Sequence, residues 1–315
     1  MTIPYFSLIT PMFNRSMTIR RAMESCLAQT FSDFELLITD DASSDDSVAV
    51  ASSYADSRIK IFRHAQNRGP CPARNTAIAQ ARGKWCVMVD SDFALLPGAL
   101  ENLLARTRAA PSGVGNAASS CRWDTGAITP LPGAPDVPLD FRAYLQWVES
   151  VTVSEKLECI RREVFEKIRY PDSRAWEFEF HLNLARRWQI QIARDVLVNI
   201  YTDAPNRITM ASGSSALRRM LDDAPDKLAS LEAVLRDHGA IMRECAPKLY
   251  NYTVSLAGNL SFLNGQRIKG LQYTATAIGR RPWSAGLWAL MCLGLILGPK
   301  ATAWATVLRR QVVGI

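Results

Sequence analysis

The first hundred residues alternate between two kinds of segment, and this alternation constrains the fold more than any other feature of the chain. Short runs rich in β-branched and apolar residues occur at 6–10, 34–39, 58–63 and 85–89. Segments with the spacing of amphipathic helices separate them, at 17–28, 45–54 and 73–81. Strands joined through helices lie parallel, because a right-handed crossover returns the chain to the same end of the sheet. We therefore expect an α/β fold with a mainly parallel, Rossmann-like sheet flanked by helices.

Acidic residues follow two of the predicted strands. Asp40 and Asp41 come at the end of the second run, and Asp90-Ser91-Asp92 comes directly after the fourth. Ligands bind beyond the carboxyl ends of parallel strands, so these carboxylates are candidate ligand contacts. The oxygens of Asp90 and Asp92 suit Mg²⁺ or Mn²⁺, ions that commonly bridge a carboxylate and a diphosphate. Acidic pairs also occur in turns and at helix N-termini, so the pair by itself leaves a structural interpretation open.

The chain changes character after residue 110. Residues 110–138 are rich in Pro, Gly, Ser and Ala, and they predict a loop-rich transition with a hairpin turn at 124–126. The later pattern predicts helices over 161–169 and 175–188, a strand over 195–201, and mostly helix beyond residue 211.

Positive charge is concentrated at the C-terminal end. The formal net charge is +7, yet no Asp or Glu follows Glu244, so the first 244 residues are close to neutral. An uncharged stretch, Trp283–Leu297, lies between basic residues, and it is shorter than the about 20 residues that span a bilayer. The pattern favours an anionic membrane surface over nucleic acid as a partner. A solvated basic surface and a buried core helix remain the alternatives.

The cysteines and the N-terminus indicate a compartment. Seven cysteines, an odd number without a C-x-x-C pair, predict free thiols in a reducing environment. The first ten residues carry neither a basic segment nor a long apolar one, so we expect no secretory signal. These features predict a cytoplasmic protein, peripheral at the inner face of the membrane if the basic end binds lipid.

Four segments of the first hundred residues resemble the family 2 glycosyltransferases of GT-A fold, in the expected order and at the expected separations. They are 11–15 (Pro-Met-Phe-Asn-Arg), 31–45 with its Asp-Asp pair, 67–75 (Asn-Arg-Gly-Pro-Cys-Pro-Ala-Arg-Asn) and 90–92. The resemblance is strong over 5–100, moderate over 155–210 and faint beyond. It implies a mixed, mainly parallel GT-A sheet with a C-terminal helical extension. The implied domains are a nucleotide-sugar-binding half at 1–105, an acceptor-binding half at 106–215 and a helical region at 216–315.

The resemblance also implies a pocket for the nucleotide base. Asp41 is expected to bind the base, and Phe13 is expected to stack on it where the family often has Tyr. Pro11 and Arg15 are expected to line the same pocket. A core position for Phe13 is the alternative.

The same resemblance implies a diphosphate site with a divalent metal, Mg²⁺ or Mn²⁺. Asp90 is expected to meet the ribose or the metal, and Asp92 to coordinate the metal. Arg74 lies in a helix that flanks the donor, and an ion pair with Asp90 or Asp41 is its structural alternative. Some relatives supply a His after the last strand, where this chain offers Asp203. His64, His181 and His238 have no ligand spacing, and we interpret them as structural.

The segment 175–187 resembles the acidic pair and helix that supply the family's catalytic base. Matching it places Glu177 at the base position and Glu179 at the next acidic position, with Trp176 where an acid is usual. An inverting transfer needs a carboxylate to take the proton of the acceptor hydroxyl. A surface Glu on an amphipathic helix is the alternative, and the choice between Glu177 and Glu179 stays open.

These features together predict an inverting glycosyltransferase. It would move one sugar from a nucleotide diphosphate sugar, most simply a UDP-sugar, to a glycan or lipid-linked acceptor in cell-surface polysaccharide synthesis. Arg186-Arg187-Trp188 lacks the Gln of the Q-x-x-R-W motif of processive synthases, which favours single transfer. The alternatives are a non-catalytic nucleotide-sugar-binding protein and a nucleotidyltransferase. The second is disfavoured because 11–15 contains no glycine.

Overall fold

The computed structural model describes residues 3–130, 133–151, 155–174, 176–203 and 213–280. The strands within them are β1 (Phe6–Met12), β2 (Phe34–Asp40), β3 (Ile59–Arg63), β4 (Trp85–Met88), β5 (Phe93–Leu95), β6 (Val114–Trp123), β7 (Ile128–Thr129), β8 (Pro138–Leu139), β9 (Cys159–Arg161) and β10 (Gln189–Ile200). The helices are α1 (Ile19–Leu27), α2 (Ser47–Ser52), α3 (Pro70–Ala79), α4 (Ala99–Ala109), α5 (Phe141–Ser150), α6 (Phe178–Ala185), α7 (Gly213–Cys245), α8 (Pro247–Leu263) and α9 (Arg267–Arg280).

The strands form one mixed sheet in the order β3-β2-β1-β4-β9-β6-β10-β5, with β7 on β6 and β8 on β10. The pairs among β1 to β4 are parallel, as is β6 with β10, while β9 runs antiparallel to both of its neighbours. The predicted α/β fold with a mixed, mainly parallel sheet is confirmed. Its core lies around β1, β2 and β4, whose residues are almost all buried because helices cover the sheet.

The early helices lie where the sequence predicts them, with ends shifted by one to three residues. Helix α3 begins at Pro70, three residues before the predicted start. Gly69 precedes it with a φ of 99°, and proline is favoured at the first helical position because its fixed φ suits a helix. Helix α2 begins at Ser47, and Asp45, two residues earlier, accepts hydrogen bonds from the Ser47 main chain and hydroxyl.

The predicted loop-rich transition contains the long central strand β6, so this part of the prediction is wrong. Its sequence, VGNAASSCRW, is small and polar rather than β-branched, but its first eight residues are buried between neighbouring strands. Tertiary packing here overrides strand propensity. A Cβ on Gly115 would lie 2.6 Å from Cβ of Trp188, so even alanine would be too large there. The predicted hairpin turn at 124–126 does join β6 to β7.

The prediction of an α-helix over 161–169 is also wrong. Arg161 ends β9, and a short 3-10 helix, Arg162–Glu166, follows it. Arg161 pairs with Trp85 in the sheet and so does not begin a helix, and Pro171 disfavours helical backbone at Tyr170. Two further elements differ only in length, because α6 is shorter than the predicted 175–188 and β10 begins six residues before the predicted strand at 195.

The described residues fall into two compact units. The first holds the sheet, and Phe180 onward in α6 belongs to it. The second holds Arg174–Glu179 with α7, α8 and α9, whose apolar residues form a separate core around Leu228, Leu231 and Leu260. The predicted C-terminal helical region is confirmed over 213–280. The apolar stretch Trp283–Leu297 lies outside the described residues, and no helix among those described is long and apolar enough to cross a bilayer.

Candidate functional site

The predicted donor residues meet at one edge of the sheet. Met12, the last residue of β1, lies opposite Asp40, the last residue of β2, and the main-chain N–H of Asp41 donates to the carbonyl of Met12 at 2.8 Å. On the other side of β1, β4 runs parallel and leads directly into Asp90. Parallel strands end at the same edge, so the topology gathers motifs that lie far apart in the sequence.

Asp41 is the most enclosed of the predicted base-binding residues, with a side chain 3% exposed. Its carboxylate lies 2.7 Å from Nδ1 of His64 and accepts from the main-chain N–H groups of Arg68 at 2.9 Å and Gly69 at 2.7 Å. The other ring nitrogen of His64 lies 2.8 Å from the Thr76 hydroxyl. Asp41 therefore fixes the turn that leads into α3. No sequence signal joined His64 to Asp41.

Asp40 has a different role from its neighbour. It is fully buried, accepts from the main-chain N–H of Ser43 at 3.2 Å, and forms an ion pair with Arg63 at 3.2 Å. These contacts hold the loop between β2 and α2, in which Ala42 has a φ of 62°. The pair Asp40-Asp41 thus shapes the backbone on both sides of the end of β2.

The segment after β1 forms a loop that rests on the start of α2. The main-chain N–H of Asn14 donates to the Ser43 hydroxyl at 2.9 Å, and that of Arg15 donates to the Ser47 hydroxyl at 2.6 Å. The guanidinium of Arg15 donates to the carbonyls of Phe13 and Asn14, each at 3.1 Å. Phe13 is 39% exposed, so the core alternative for this ring is wrong. The ring is available as a flat apolar surface at the edge of the sheet.

Arg74 faces the D-S-D turn from α3. Its Nη2 donates to Oδ1 of Asp90 at 2.7 Å, which is one of the two ion pairs expected as a structural alternative. The Arg74 side chain is almost completely buried, while that of Asp90 is 33% exposed. Asp90 therefore combines a fixed oxygen with a face that solvent reaches.

Asp90 and Asp92 lie on one tight turn, because the N–H of Phe93 donates to the carbonyl of Asp90 at 2.9 Å. The carbonyl of Asp92 accepts from the N–H of Tyr201 at 3.1 Å, which ties the turn to the end of β10. Two carboxylates in this position form a hard oxygen donor set that fits Mg²⁺ or Mn²⁺. Among the residues the structure describes, these two carboxylates are not part of a three-residue cluster of potential metal ligands.

Asp203, the candidate third ligand, is held by another partner. Both of its oxygens accept from the guanidinium of Arg21, at 2.7 and 2.8 Å. That guanidinium lies 3.7 Å from the centre of the Tyr201 ring. The hydrogen bonds to Asp203 raise the pKa of Arg21. Asp203 thus forms an ion pair with Arg21, whose guanidinium stacks on Tyr201, so both of its oxygens already have a partner.

The two candidate base residues have different surroundings. Glu179 lies in the first turn of α6 and accepts a hydrogen bond from the Ser230 hydroxyl on α7 at 2.7 Å. Glu177 precedes the helix by one residue and is partly exposed. The contact with Ser230 gives Glu179 a partner on α7.

A buried charged cluster was missed entirely by sequence reasoning. Glu158, immediately before β9, is buried with Lys156 and His181, whose nitrogens lie 3.2 and 2.9 Å from its carboxylate. Burial by itself raises the pKa of Glu158, but His181 and Lys156 outweigh that effect and hold it well below its usual range. No local pattern signalled this cluster, because β9 itself was not predicted.

Comparison with known proteins identifies the family. Residues 7–169, just over half of the chain, match the family model for Glycosyl transferase family 2. The chain belongs to this family.

Curated relatives match over shorter stretches. The succinoglycan biosynthesis protein ExoO of Rhizobium meliloti (strain 1021) is 36% identical over 108 residues, 34% of this chain and 31% of that protein. A GalNAc(5)-diNAcBac-PP-undecaprenol beta-1,3-glucosyltransferase of Campylobacter jejuni is 36% identical over 107 residues, 33% of this chain and 35% of that protein. WfgD of Escherichia coli, a UDP-Glc:alpha-D-GlcNAc-diphosphoundecaprenol beta-1,3-glucosyltransferase, is 38% identical over 95 residues, 30% of this chain and 38% of that protein. The matches thus span about a third of the length of these relatives.

Solved structures share the fold over nearly the whole chain. The alignment with the crystal structure of S. aureus TarS 1-349 in complex with UDP-GlcNAc covers 98% of this chain and 92% of the TarS chain, with a TM-score of 0.57 and 17% sequence identity. The alignment with the mannosyltransferase PcManGT from Pyrobaculum calidifontis, in complex with GDP-Man and Mn²⁺, covers 99% of this chain and 86% of the PcManGT chain, with a TM-score of 0.53 and 20% sequence identity. The fold is therefore the GT-A fold that the sequence predicted.

Proposed function

We propose that the chain is a metal-dependent, inverting glycosyltransferase. It moves one sugar from a UDP-sugar to a hydroxyl of a glycan or lipid-linked acceptor. The observation that carries this proposal is the meeting of four separate motifs at the carboxyl edge of the sheet, in a chain that belongs to Glycosyl transferase family 2. The curated relatives that act on UDP-Glc or on diphosphoundecaprenol-linked glycans support the donor and acceptor classes.

The base of the donor is proposed to bind between the loop after β1 and the turn before α3. The exposed ring of Phe13 supplies a stacking surface, with Pro11 near the end of β1 on one side of it in the chain and Arg15 in the loop on the other. A carboxylate has about four lone-pair positions. Three described groups make four hydrogen bonds to that of Asp41, because the N–H of Arg68 reaches both oxygens, so an imide N–H of the base would have to share or replace one of these bonds.

Asp92 and Asp90 are proposed to hold Mg²⁺ or Mn²⁺ at the donor diphosphate. When bound, such an ion neutralises negative charge that builds up on the departing diphosphate. Arg74 keeps one oxygen of Asp90 in a fixed direction, so the carboxylate does not have to be ordered when the donor arrives. The mannosyltransferase PcManGT, which shares this fold, was solved in complex with GDP-Man and Mn²⁺, and this supports a divalent ion here.

Glu177 is proposed to take the proton of the acceptor hydroxyl as that oxygen attacks the anomeric carbon. A carboxylate that removes a proton must be able to face the substrate, and Glu177 is partly exposed. The hydrogen bond between Glu179 and Ser230 supports this assignment over the alternative one.

A lipid-linked acceptor lies at a membrane surface, so we propose that the chain works at the inner face of the membrane. The basic residues beyond Glu244 support a contact with anionic lipid, since each Lys or Arg near such a surface contributes about 1 kcal/mol. The cytoplasmic location belongs to the same proposal.

Nucleotide release tests the proposal directly. Purified protein is incubated with UDP-glucose, UDP-GlcNAc or GDP-mannose, with Mn²⁺ and with GlcNAc-diphospho-undecaprenol as acceptor, and free nucleoside diphosphate is measured. We expect metal-dependent UDP release that the Asp92→Asn variant loses. UDP binding without release from any donor would instead identify a nucleotide-sugar-binding protein, and lack of UDP binding would overturn the donor site.

A further inference from the structure

Glu158 is a buried carboxylate that the proposed transfer reaction does not use. Four polar side chains converge on it. The nitrogens of Lys156, Asn116 and His181 lie 3.2, 3.1 and 2.9 Å from its oxygens, and the Tyr170 hydroxyl lies at 3.5 Å. All five residues belong to the unit that holds the sheet.

The charge of Glu158 determines the direction of its hydrogen bond with His181. With its pKa held below the usual range, Glu158 is ionised at neutral pH and carries no proton. The Nε2 atom of His181 must then be the donor in their hydrogen bond. A buried carboxylate that loses its donors is strongly destabilised, so Glu158 restricts where His181 can lie.

His181 and its neighbour Phe180 belong to α6. The Phe180 ring stacks on Tyr170, with ring centres 3.9 Å apart and an angle of 26° between the planes. The carbonyl of Tyr170 accepts from Nδ2 of Asn75 at 2.9 Å, and Arg74 lies 5.7 Å from the centre of its ring. Tyr170 thus joins α3, which carries the partner of Asp90, to α6. Glu158 holds both ends of this connection, through the Tyr170 hydroxyl and through His181.

We propose that Glu158 is a positioning residue for glycosyl transfer, which fixes the start of α6 through His181 and Tyr170. This inference rests on the proposed function, because Glu177 precedes α6 by one residue and moves if the helix moves. A general base must lie within hydrogen-bonding reach of the acceptor hydroxyl, and a displacement of about 1 Å is enough to reduce a rate by about a hundredfold. Glu158 does not contact the reacting atoms in this proposal.

The test compares Glu158→Gln with Glu35→Gln. Glu35 is a matched control because it is also buried and bonded to neighbouring side chains, those of Ser7 and Arg82, at the opposite end of β1 and β2. We expect Glu158→Gln to lower kcat for UDP release about tenfold or more, with the KM for the donor and the affinity for UDP with Mn²⁺ within about twofold of wild type. Glu35→Gln should keep the wild-type kcat at a temperature at which both variants are folded.

A double variant separates positioning from general damage. If Glu158 acts through His181, Glu158→Gln combined with His181→Leu should lower kcat little more than the more damaging single change. Three outcomes would each overturn the proposal. They are losses of kcat that multiply in the double variant, an effect of Glu158→Gln that is confined to KM, and an equal loss of kcat in Glu35→Gln.

Hydrogen–deuterium exchange keeps this inference distinct from the proposed function. Glu158→Gln should speed exchange at the amides of residues 182–185 in α6 and leave β1 and β2 unchanged, whereas Glu35→Gln should spare α6. Unchanged exchange in α6 would overturn the positioning role even if the wild-type chain transfers sugar. Faster exchange in α6 with no nucleotide release from the wild-type chain would show that the contact exists and that the proposed function is what fails.

Discussion

Arg74 and Asp90 form an unequal ion pair. Their atoms Nη2 and Oδ1 are 2.7 Å apart, but the arginine side chain is 7% exposed and the aspartate side chain is 33% exposed. Water can solvate Asp90 if the pair breaks, whereas water reaches little of the guanidinium. Loss of Asp90 should therefore destabilise this region, because it leaves the buried guanidinium of Arg74 without the carboxylate of this ion pair. The exposed face of Asp90 is the part that a ligand can reach.

This asymmetry predicts different results for the two acids of the D-S-D turn. Asp90→Asn takes the carboxylate away from the buried guanidinium and should lower the free energy of unfolding by about 1–3 kcal/mol. Asp92→Asn keeps the ion pair between Arg74 and Asp90 and should therefore not show this part of the loss. Both should weaken Mn²⁺-dependent binding of UDP, as measured by titration calorimetry. Full Mn²⁺-dependent affinity in Asp92→Asn would contradict the metal assignment.

The assignment of the base predicts a contrast between two neighbouring glutamates. Glu177→Gln should leave UDP binding intact and reduce transfer about a hundredfold or more, because it removes the proton acceptor. Glu179→Gln should transfer sugar at close to the wild-type rate, since its carboxylate bonds to Ser230.

Ser230→Ala is the control for this contrast, because it removes the hydrogen bond to Glu179 and leaves the carboxylate in place. Its rate should likewise stay close to that of the wild type. A large loss of transfer in Glu179→Gln with full activity in Glu177→Gln would show that the two roles are reversed.

The parallel half of the sheet was predictable because its residues carry strong local signals. β1, β2 and β4 are rich in apolar and β-branched residues, and acids mark the ends of β2 and β4. β6 and β9 were missed because their strand character comes from burial between neighbours rather than from their own residues.

The site divides in the same way. Asp41, Asp90 and Arg74 were found because each lies in a motif. The bonds from Asp41 to His64 and from Glu158 to His181 join residues 23 positions apart in each case, and only the folded backbone brings them together. Pairing of polar groups over such distances has no period in the sequence that reasoning could detect.

Gly83 provides a test of the packing at the start of β1. A Cβ at this position would lie 2.5 Å from the main-chain nitrogen of Ser7 and 2.6 Å from the carbonyl carbon of Phe6. Backbone atoms cannot rotate away, so Gly83→Ala should lower the free energy of unfolding by about 1–3 kcal/mol, or more if β1 separates from its neighbours. Urea denaturation followed by circular dichroism measures this change.

Gly113→Ala is the matched control, since the nearest atom to its added Cβ is the side-chain oxygen of Gln189 at 3.4 Å. It should change stability by no more than about 0.5 kcal/mol. Equal destabilisation by the two substitutions would mean that the close approach of β1 to Gly83 is not what limits this position.

Glu35 makes the stability of the sheet depend on pH in a defined direction. Burial by itself raises the pKa of this carboxyl, but the N–H of Arg82, the Ser7 hydroxyl and the Arg82 guanidinium outweigh it and hold the pKa below its usual range. A carboxyl with a lowered pKa in the folded state stabilises the fold fully above its unfolded pKa, about 4.3, and loses that contribution as the pH falls through the folded value.

The variant Glu35→Gln tests this dependence, because its side chain does not titrate. The difference in unfolding free energy between wild type and Glu35→Gln should therefore be constant from about pH 6 to 8 and shrink below about pH 4.3. A difference that stays constant down to about pH 3 would show that the carboxyl of Glu35 is not stabilised in its ionised form.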